Sequence, residues 1–216
     1  MRTPKRLLVI GGALVLALVG TAAPAQASGT VELSQGHVDV FGVAFEDGEL
    51  HLHVHDDTIE PAEEREPEHV LHVVRPEAEV EVPDNPAFGF LGDPRDPVWI
   101  LPEIDDPNLL FAGIGTEEIE IGVFEGDSID LKLLFVLGPA DFSLFTVGPT
   151  GTPDVLLDSG DGLPDTLTVP AATHLHANWA FGAPGHYFFL VEASGKLADT
   201  GETVTDYAIY RFRVDD

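Results

Sequence analysis

Cysteine is absent from the chain, and basic residues are scarce. Without cysteine there is no disulfide bond, no thiolate metal ligand, no cysteine nucleophile and no acylated lipoprotein cysteine. Ten Lys and Arg stand against 38 Asp and Glu, which gives a formal net charge of −28. A surface of this sign repels nucleic acid and anionic lipid, so we exclude both as partners. It attracts cations but also serves solubility, and the charge alone does not separate these two interpretations.

Long apolar runs are missing too, except at the N-terminus. Residues 7–19 are apolar and follow a short basic segment, and residues 25–27 (Ala-Gln-Ala) have the small-x-small pattern of a signal peptidase site. The run is shorter than the roughly 20 residues of a spanning helix. The sequence therefore predicts a signal peptide at residues 1–27 and a secreted mature chain, residues 28–216, without a membrane span. Seven basic and 38 acidic residues remain in that chain, a formal charge of −31.

The mature chain predicts one all-β domain. Short alternations of apolar and polar residues recur between Gly and Pro residues, and no long helical stripe is present. This pattern is typical of an antiparallel β-sandwich, Ig-like or jelly-roll-like. Strands are predicted at 30–34, 36–45, 49–55, 69–74, 97–101, 129–137, 141–147, 166–169, 173–181, 186–193 and 203–213. The acidic, proline-rich stretch 56–108 is predicted to loop over one end of the sandwich.

Six of the nine histidines lie in three short runs: residues 36–40 (GHVDV), 50–56 (LHLHVHD) and 173–179 (THLHANW). Residues two apart on a strand share a face, and the intervening residues are apolar, so the imidazoles should project away from the core. Two such rings can lean onto one metal ion, with Zn–N bonds of ~2.0–2.1 Å. The predicted metal ligands are His37, His53, His55, His174 and His176. Asp39 and His51 are less certain candidates. One strand rarely offers all three of His51, His53 and His55 to a single ion, and Asp39 reaches the histidine face only through a predicted bulge.

A hairpin relates the first two runs. Residues 47–48 (Asp-Gly) are a strong two-residue turn signal. Apolar residues alternate along 41–45 but change phase at 38–40, which predicts a β-bulge at 40–41. The bulge would place Asp39 opposite His55 on the histidine face, with His37 one step further along.

The other histidines and the tryptophans have simpler expected roles. Asn178 shares the predicted face of His176 and is expected to hydrogen-bond a ligand imidazole. Packing roles are expected for the isolated His69, His72 and His186, and core positions for Trp99 and Trp179.

Four stretches, residues 36–57, 97–119, 136–145 and 173–195, resemble the actinobacterial surface-anchored protein domain, also called the choice-of-anchor M domain. The H-x-H-x-N-W-x-F motif of the last stretch is the most specific. Members look like secreted or wall-attached proteins encoded near metal-type ABC transporters. The resemblance implies extracellular metal capture or handover, with the transporter's substrate-binding protein or cell-wall components as partners. Wall-anchored members end in a sorting motif, whereas residues 210–216 look like a strand, so we expect a released or loosely surface-held protein.

Zinc is the expected ion, because manganese prefers more carboxylate ligands, although manganese and other divalent metals are not excluded. The expected role is non-catalytic. A cupin-like metalloenzyme is one alternative, but Phe181 and Gly182 stand where a cupin has its glutamate after H-x-H. An adhesin or carbohydrate-binding module with a structural ion is another, although such modules usually expose aromatic side chains.

Overall fold

The computed structural model describes residues 29–216. The predicted signal peptide, residues 1–27, and its cleavage site lie outside these residues. Among the described residues, no helix has the length and apolarity that a membrane crossing requires. This part of the chain consists of β-strands and short 3₁₀ turns, which confirms the predicted all-β class.

The strands, numbered in chain order, are β1 (Val31–Leu33), β2 (Gly36–Glu46), β3 (Glu49–Asp56), β4 (Glu63–Arg65), β5 (Val70–Val74), β6 (Glu79–Glu81), β7 (Pro97–Leu101), β8 (Leu110–Gly115), β9 (Ser128–Leu137), β10 (Phe142–Val147), β11 (Pro153–Asp158), β12 (Asp165–Pro170), β13 (His174–His176), β14 (Asn178–Phe181), β15 (Gly185–Lys196) and β16 (Thr203–Val214). The 3₁₀ turns span Pro67–His69, Pro76–Ala78, Pro86–Leu91 and Glu125–Asp127. Three of these turns begin with proline, whose fixed φ suits the first helical position.

The strands form three sheets. Their orders are β1-β5-β16-β15-β9-β12, β11-β10-β14-β7-β6 and β13-β8-β2-β3-β4. Most neighbours are antiparallel, as predicted, but β5 is parallel to both β1 and β16, and β2 is parallel to β8. The parallel pairing of β2 with β8 matters most for function, because it inserts β8 between the histidine-bearing strands β2 and β13.

One apolar core is shared by all three sheets. Trp179 of β14, Phe41 of β2 and Tyr210 of β16 are fully buried in it, and the rings of Phe41 and Tyr210 lie 4.8 Å apart. Each such side chain contributes about 1.5–3 kcal/mol when it leaves water. Trp99 is also buried, so both tryptophans occupy core positions as predicted. The histidine-bearing sheet therefore rests on a packed support.

Two features of the topology differ from the prediction. The expected strand 173–181 is divided at the buried Ala177, where the chain passes from β13 in one sheet to β14 in another. The stretch 56–108 is less of a loop than predicted, since it holds β4, β6 and three 3₁₀ turns in addition to the two predicted strands β5 and β7. The prediction missed four strands, namely β4, β6, β8 and β11.

Candidate metal centre

All six histidines of the three runs lie on the sheet β13-β8-β2-β3-β4. His174 and His176 are on β13, His37 is on β2, and the run 51–55 is on β3. The middle strand β8 places Gly113 between His176 on one side and Asp39 on the other, in a single row across the sheet. Strands two apart in a sheet are roughly 10 Å from each other. Side chains of β13 and β2 can therefore meet above β8 only if β8 leaves the space between them free.

The predicted β-bulge is present in β2. The pairing with β3 shifts between Asp39 and Gly42, and Asp39 lies opposite His55 as predicted. Within the bulge, Val40 and Phe41 are both buried although they are adjacent in sequence. The extra residue thus turns Asp39 and His37 to the histidine face.

Three imidazole nitrogens converge on one point. The Nε2 atoms of His37 and His174 are 3.1 Å apart, and those of His174 and His176 are 2.9 Å apart. Ligands of a tetrahedral zinc ion with bonds of ~2.0–2.1 Å are separated by about 3.3 Å. The spacing of the three nitrogens is close to that of a metal ligand set.

A carboxylate oxygen lies beside two of the three nitrogens. Oδ1 of Asp39 lies 3.3 Å from Nε2 of His174 and 3.6 Å from Nε2 of His37. Asp39 is buried, and none of the described residues hydrogen-bonds this oxygen. Burial raises the pKa of Asp39, while the facing His174 and His37 work in the opposite direction without cancelling it. A buried carboxylate oxygen without a partner is costly, and a cation at this point would compensate it.

The outer nitrogen of each imidazole already has an acceptor. Nδ1 of His37 faces Asp57 Oδ2 at 2.7 Å, and Nδ1 of His174 faces Glu117 Oε1 at 2.5 Å. Nδ1 of His176 donates to a backbone carbonyl, that of residue 112, at 3.0 Å. When Nδ1 donates its proton, Nε2 of a neutral ring carries a lone pair. The converging Nε2 atoms are then acceptors that cannot hydrogen-bond one another, which is the arrangement of metal-binding histidines.

Packing fixes the ring of His176. It stacks on Phe111 of β8 with centroids 3.6 Å apart and an interplanar angle of 5°. Burial lowers the pKa of His176, so this ring stays neutral and able to bind a metal at a lower pH than an ordinary histidine.

Glycines provide the space beneath the cluster. A Cβ atom on Gly113 would overlap Asp39 Oδ1 and would lie 3.2 Å from His174 Nε2. A Cβ on Gly115 would lie 2.8 Å from the other oxygen of Asp39. Any larger residue at either position of β8 would occupy the space into which the ligand atoms point.

The remaining predicted ligands separate from this cluster. His53 and His55 line the same cavity of about 330 Å³ and form a second group with Glu118, in which one ligand atom of each residue lies within 4.8 Å of the others. His51 is exposed and lines a different cavity. Sequence reasoning missed Glu117 and Glu118. They follow β8 directly, and because that strand was not predicted, nothing in the sequence placed the two glutamates near the histidines.

The expected role of Asn178 is wrong. Its side chain lies in the neighbouring sheet, where Nδ2 donates to the carbonyl of Phe145 at 3.2 Å and Oδ1 accepts from the amide of Glu103 at 3.1 Å. The division of the predicted strand at Ala177 removes this residue from the face of His176. Asn178 instead links β14 to the segments on either side of it.

His72 has the packing role that was expected. It is fully buried, its ring stacks on Phe212 with centroids 4.8 Å apart, and its Nδ1 donates to the carbonyl of Arg211 at 3.1 Å. His72 therefore belongs to the core and not to the metal centre.

The three imidazoles of His37, His174 and His176 can hold a divalent metal ion, and Asp39 forms an overlapping group with His174 and Glu117. Imidazole suits Zn, Cu, Ni and Fe. No family model, no curated protein and no solved structure matches this chain.

Proposed function

We propose that this protein is a secreted, non-catalytic metal-binding protein that holds zinc through His37, His174, His176 and Asp39. The observation that carries the proposal is the convergence of three Nε2 lone pairs whose partner Nδ1 atoms are all engaged. A purely structural histidine cluster would instead pair donors with acceptors. With Asp39 as the fourth ligand, the site would have the four protein donors of zinc sites that bind without catalysis.

The role outside the cytoplasm is supported by sequence features. The predicted signal peptide directs export, and the strongly acidic mature chain attracts cations to its surface. From the resemblance to the surface-anchored domain family, we further propose that the protein captures the metal and hands it over to an ABC uptake system. Its substrate-binding protein, or a cell-wall component, would be the docking partner.

Metal content and affinity test this proposal. Residues 28–216 are purified, bound metal is measured by mass spectrometry, and zinc and manganese are titrated into the metal-free protein. We expect stoichiometric zinc with micromolar or tighter affinity, weaker binding of manganese, and a large loss of affinity in His174→Ala and His176→Ala. His186→Ala is the control, because this exposed histidine lies on another sheet.

The outcomes discriminate. A wild-type protein without stoichiometric metal and without micromolar zinc binding would refute the proposal. Unchanged affinity in both histidine variants would show that the ion is bound elsewhere.

A metalloenzyme is the second candidate function, and the cavity beside the cluster favours it. Glu117 and Glu118 line that cavity and are exposed to solvent, so either carboxylate could act as a general base. Catalysis needs an open coordination position, whereas the proposed site uses Asp39 as a fourth ligand. A crystal structure of the zinc-bound protein decides between them: a water in place of the Asp39 oxygen would favour the enzyme.

A further inference from the structure

A second group of ligand atoms lies one strand outward in the same cavity. His53 and His55 of β3 face Glu118, and their ligand atoms lie within 4.8 Å of one another. His53 is the key member because it is 93 % buried, its relative exposure being 7 %. None of the described residues hydrogen-bonds its Nδ1, and its Nε2 lies 3.5 Å from Glu118 Oε1, too far for a good hydrogen bond.

The fold makes room for His53 as it does for the inner cluster. Gly42 lies opposite His53 in the register of β2 and β3, and a Cβ atom on Gly42 would lie 2.5 Å from Nε2 of His53. The imidazole therefore lies over a glycine and extends into the cavity. A buried imidazole nitrogen without a good hydrogen bond is destabilising, and a cation bound at Nε2 would compensate that nitrogen.

One carboxylate connects the two groups. Asp57 Oδ2 lies 2.7 Å from Nδ1 of His37, and Asp57 Oδ1 lies 3.4 Å from Nε2 of His55. Asp57 thus contacts an inner ligand with one oxygen and an outer histidine with the other. Asp57 therefore lies between the two groups and contacts both.

The charge of the cavity also favours two cations. Four carboxylates line it, those of Asp39, Asp57, Glu117 and Glu118. Ionised, they carry four negative charges, which two divalent ions would balance and one ion would not.

We propose that the cavity holds two divalent metal ions: the inner ion of the proposed function, and an outer ion bound by His53, His55 and Glu118. This inference rests on the proposed function. The outer group has three donors against four in the inner group, and its carboxylate is the more exposed one, since Glu118 is 38 % and Asp39 is 7 % exposed. Water completes the coordination of the outer ion, so that ion binds more weakly and exchanges with solvent faster.

Zinc titration of residues 28–216 followed by calorimetry and native mass spectrometry tests the inference. We expect two zinc ions for each chain, the second bound at least tenfold more weakly. His55→Ala and Glu118→Gln should each remove the weak ion and keep the tight one, whereas His174→Ala should remove the tight one. His51→Ala is the matched control, because it lies on the same face of the same strand and belongs to neither group.

Each outcome has a distinct meaning. One ion in the wild-type protein would overturn the second site and leave the proposed function intact. Loss of all binding in both folded outer-site variants would indicate one shared site, which also overturns the inference. A wild-type protein that binds no zinc would refute the proposed function, and with it the inference that rests on it. Glu118→Gln keeps the test decisive if His55→Ala does not fold, because Glu118 is exposed.

Discussion

Replacing Gly113 by alanine tests whether the space above β8 is what makes the metal centre. The backbone at Gly113 is not in the left-handed region, so alanine is compatible with it. The new methyl group would overlap Asp39 Oδ1 and would lie 3.2 Å from both His174 Nε2 and His176 Cε1, inside the ordinary contact range of 3.4–4 Å. Asp39 must turn away, whereas metal ligands tolerate displacements of only about 0.2 Å.

The expected size of the effect follows from the loss of one ligand. Changes at groups that only orient a ligand cost 10–100-fold in affinity, so displacing Asp39 itself should cost at least about 100-fold, or ~2.7 kcal/mol. Zinc at 100 times the wild-type Kd stabilises the wild type by about 2.7 kcal/mol but a 100-fold weaker variant by only ~0.4 kcal/mol. For a domain of this size the corresponding rises in Tm are roughly 5–10 °C and about 1 °C.

Thermal unfolding with and without zinc is the assay. Gly89→Ala is the matched control, because a Cβ at Gly89 meets nothing within 4 Å and its backbone is also outside the left-handed region. The control should show the full wild-type rise in Tm. Gly113→Ala should also lose about 1–2 kcal/mol without metal, since overpacking outweighs the entropic gain of alanine. A wild-type zinc-induced rise in Gly113→Ala would refute the geometry of the site.

Two predictions concern pH and the buried polar groups of the core. Burial lowers the pKa of His72 to about 4. Between pH 6.5 and 4, His72 is therefore protonated in the unfolded chain but neutral in the folded protein. The free energy of unfolding should fall by about 3 kcal/mol as the pH is lowered through this range. In metal-free urea titrations His72→Asn should flatten that part of the pH profile; parallel profiles would contradict this. Burial alone raises the pKa of Asp56, but hydrogen bonds from Thr58 and Arg65 outweigh burial, so the pKa is lowered. The ionised Asp56 therefore stabilises the folded protein above pH ~4, and this stabilisation is lost as the pH falls through the folded pKa. Thr58→Val should therefore cost about 1.5–3 kcal/mol at pH 7 and less at pH 3.5; equal costs at both pH values would argue against this.

The sequence predicted the local features of the site. The H-x-H spacing placed the histidines on one face of β3 and of β13, and the phase change at residues 40–41 predicted the bulge that turns Asp39 outward. These features depend on the alternation of side chains along a single strand and its hairpin partner. Such short-range patterns are fixed by residue spacing, so they can be derived without knowing the rest of the fold.

The assembly of the site could not be predicted, because it depends on β8. This strand, Leu110–Gly115, is buried at nearly every position, so it shows no alternation, and its two glycines weaken the β-propensity of Phe111 and Ile114. The two glycines leave the space that the ligands occupy, and the same glycines make the strand difficult to predict from the sequence. Without β8, nothing relates β13 to β2 or brings Glu118 beside His53. The break at Ala177 could not be predicted either, since apolar and polar residues alternate without interruption across it, as they would in a single strand.

The ligands of the inner ion come from distant parts of the sequence. His37 and His174 are 137 positions apart in the chain, and they meet only because β8 lies between their strands. An ion bound by both would be a reversible cross-link that closes a very long loop. In the chain-entropy treatment of disulfides, closing a loop of this length restricts the unfolded chain by about 5 kcal/mol. In a protein without cysteine, the bound ion would act as a disulfide bond does. Release of the ion to a partner would therefore also lower the stability of the domain.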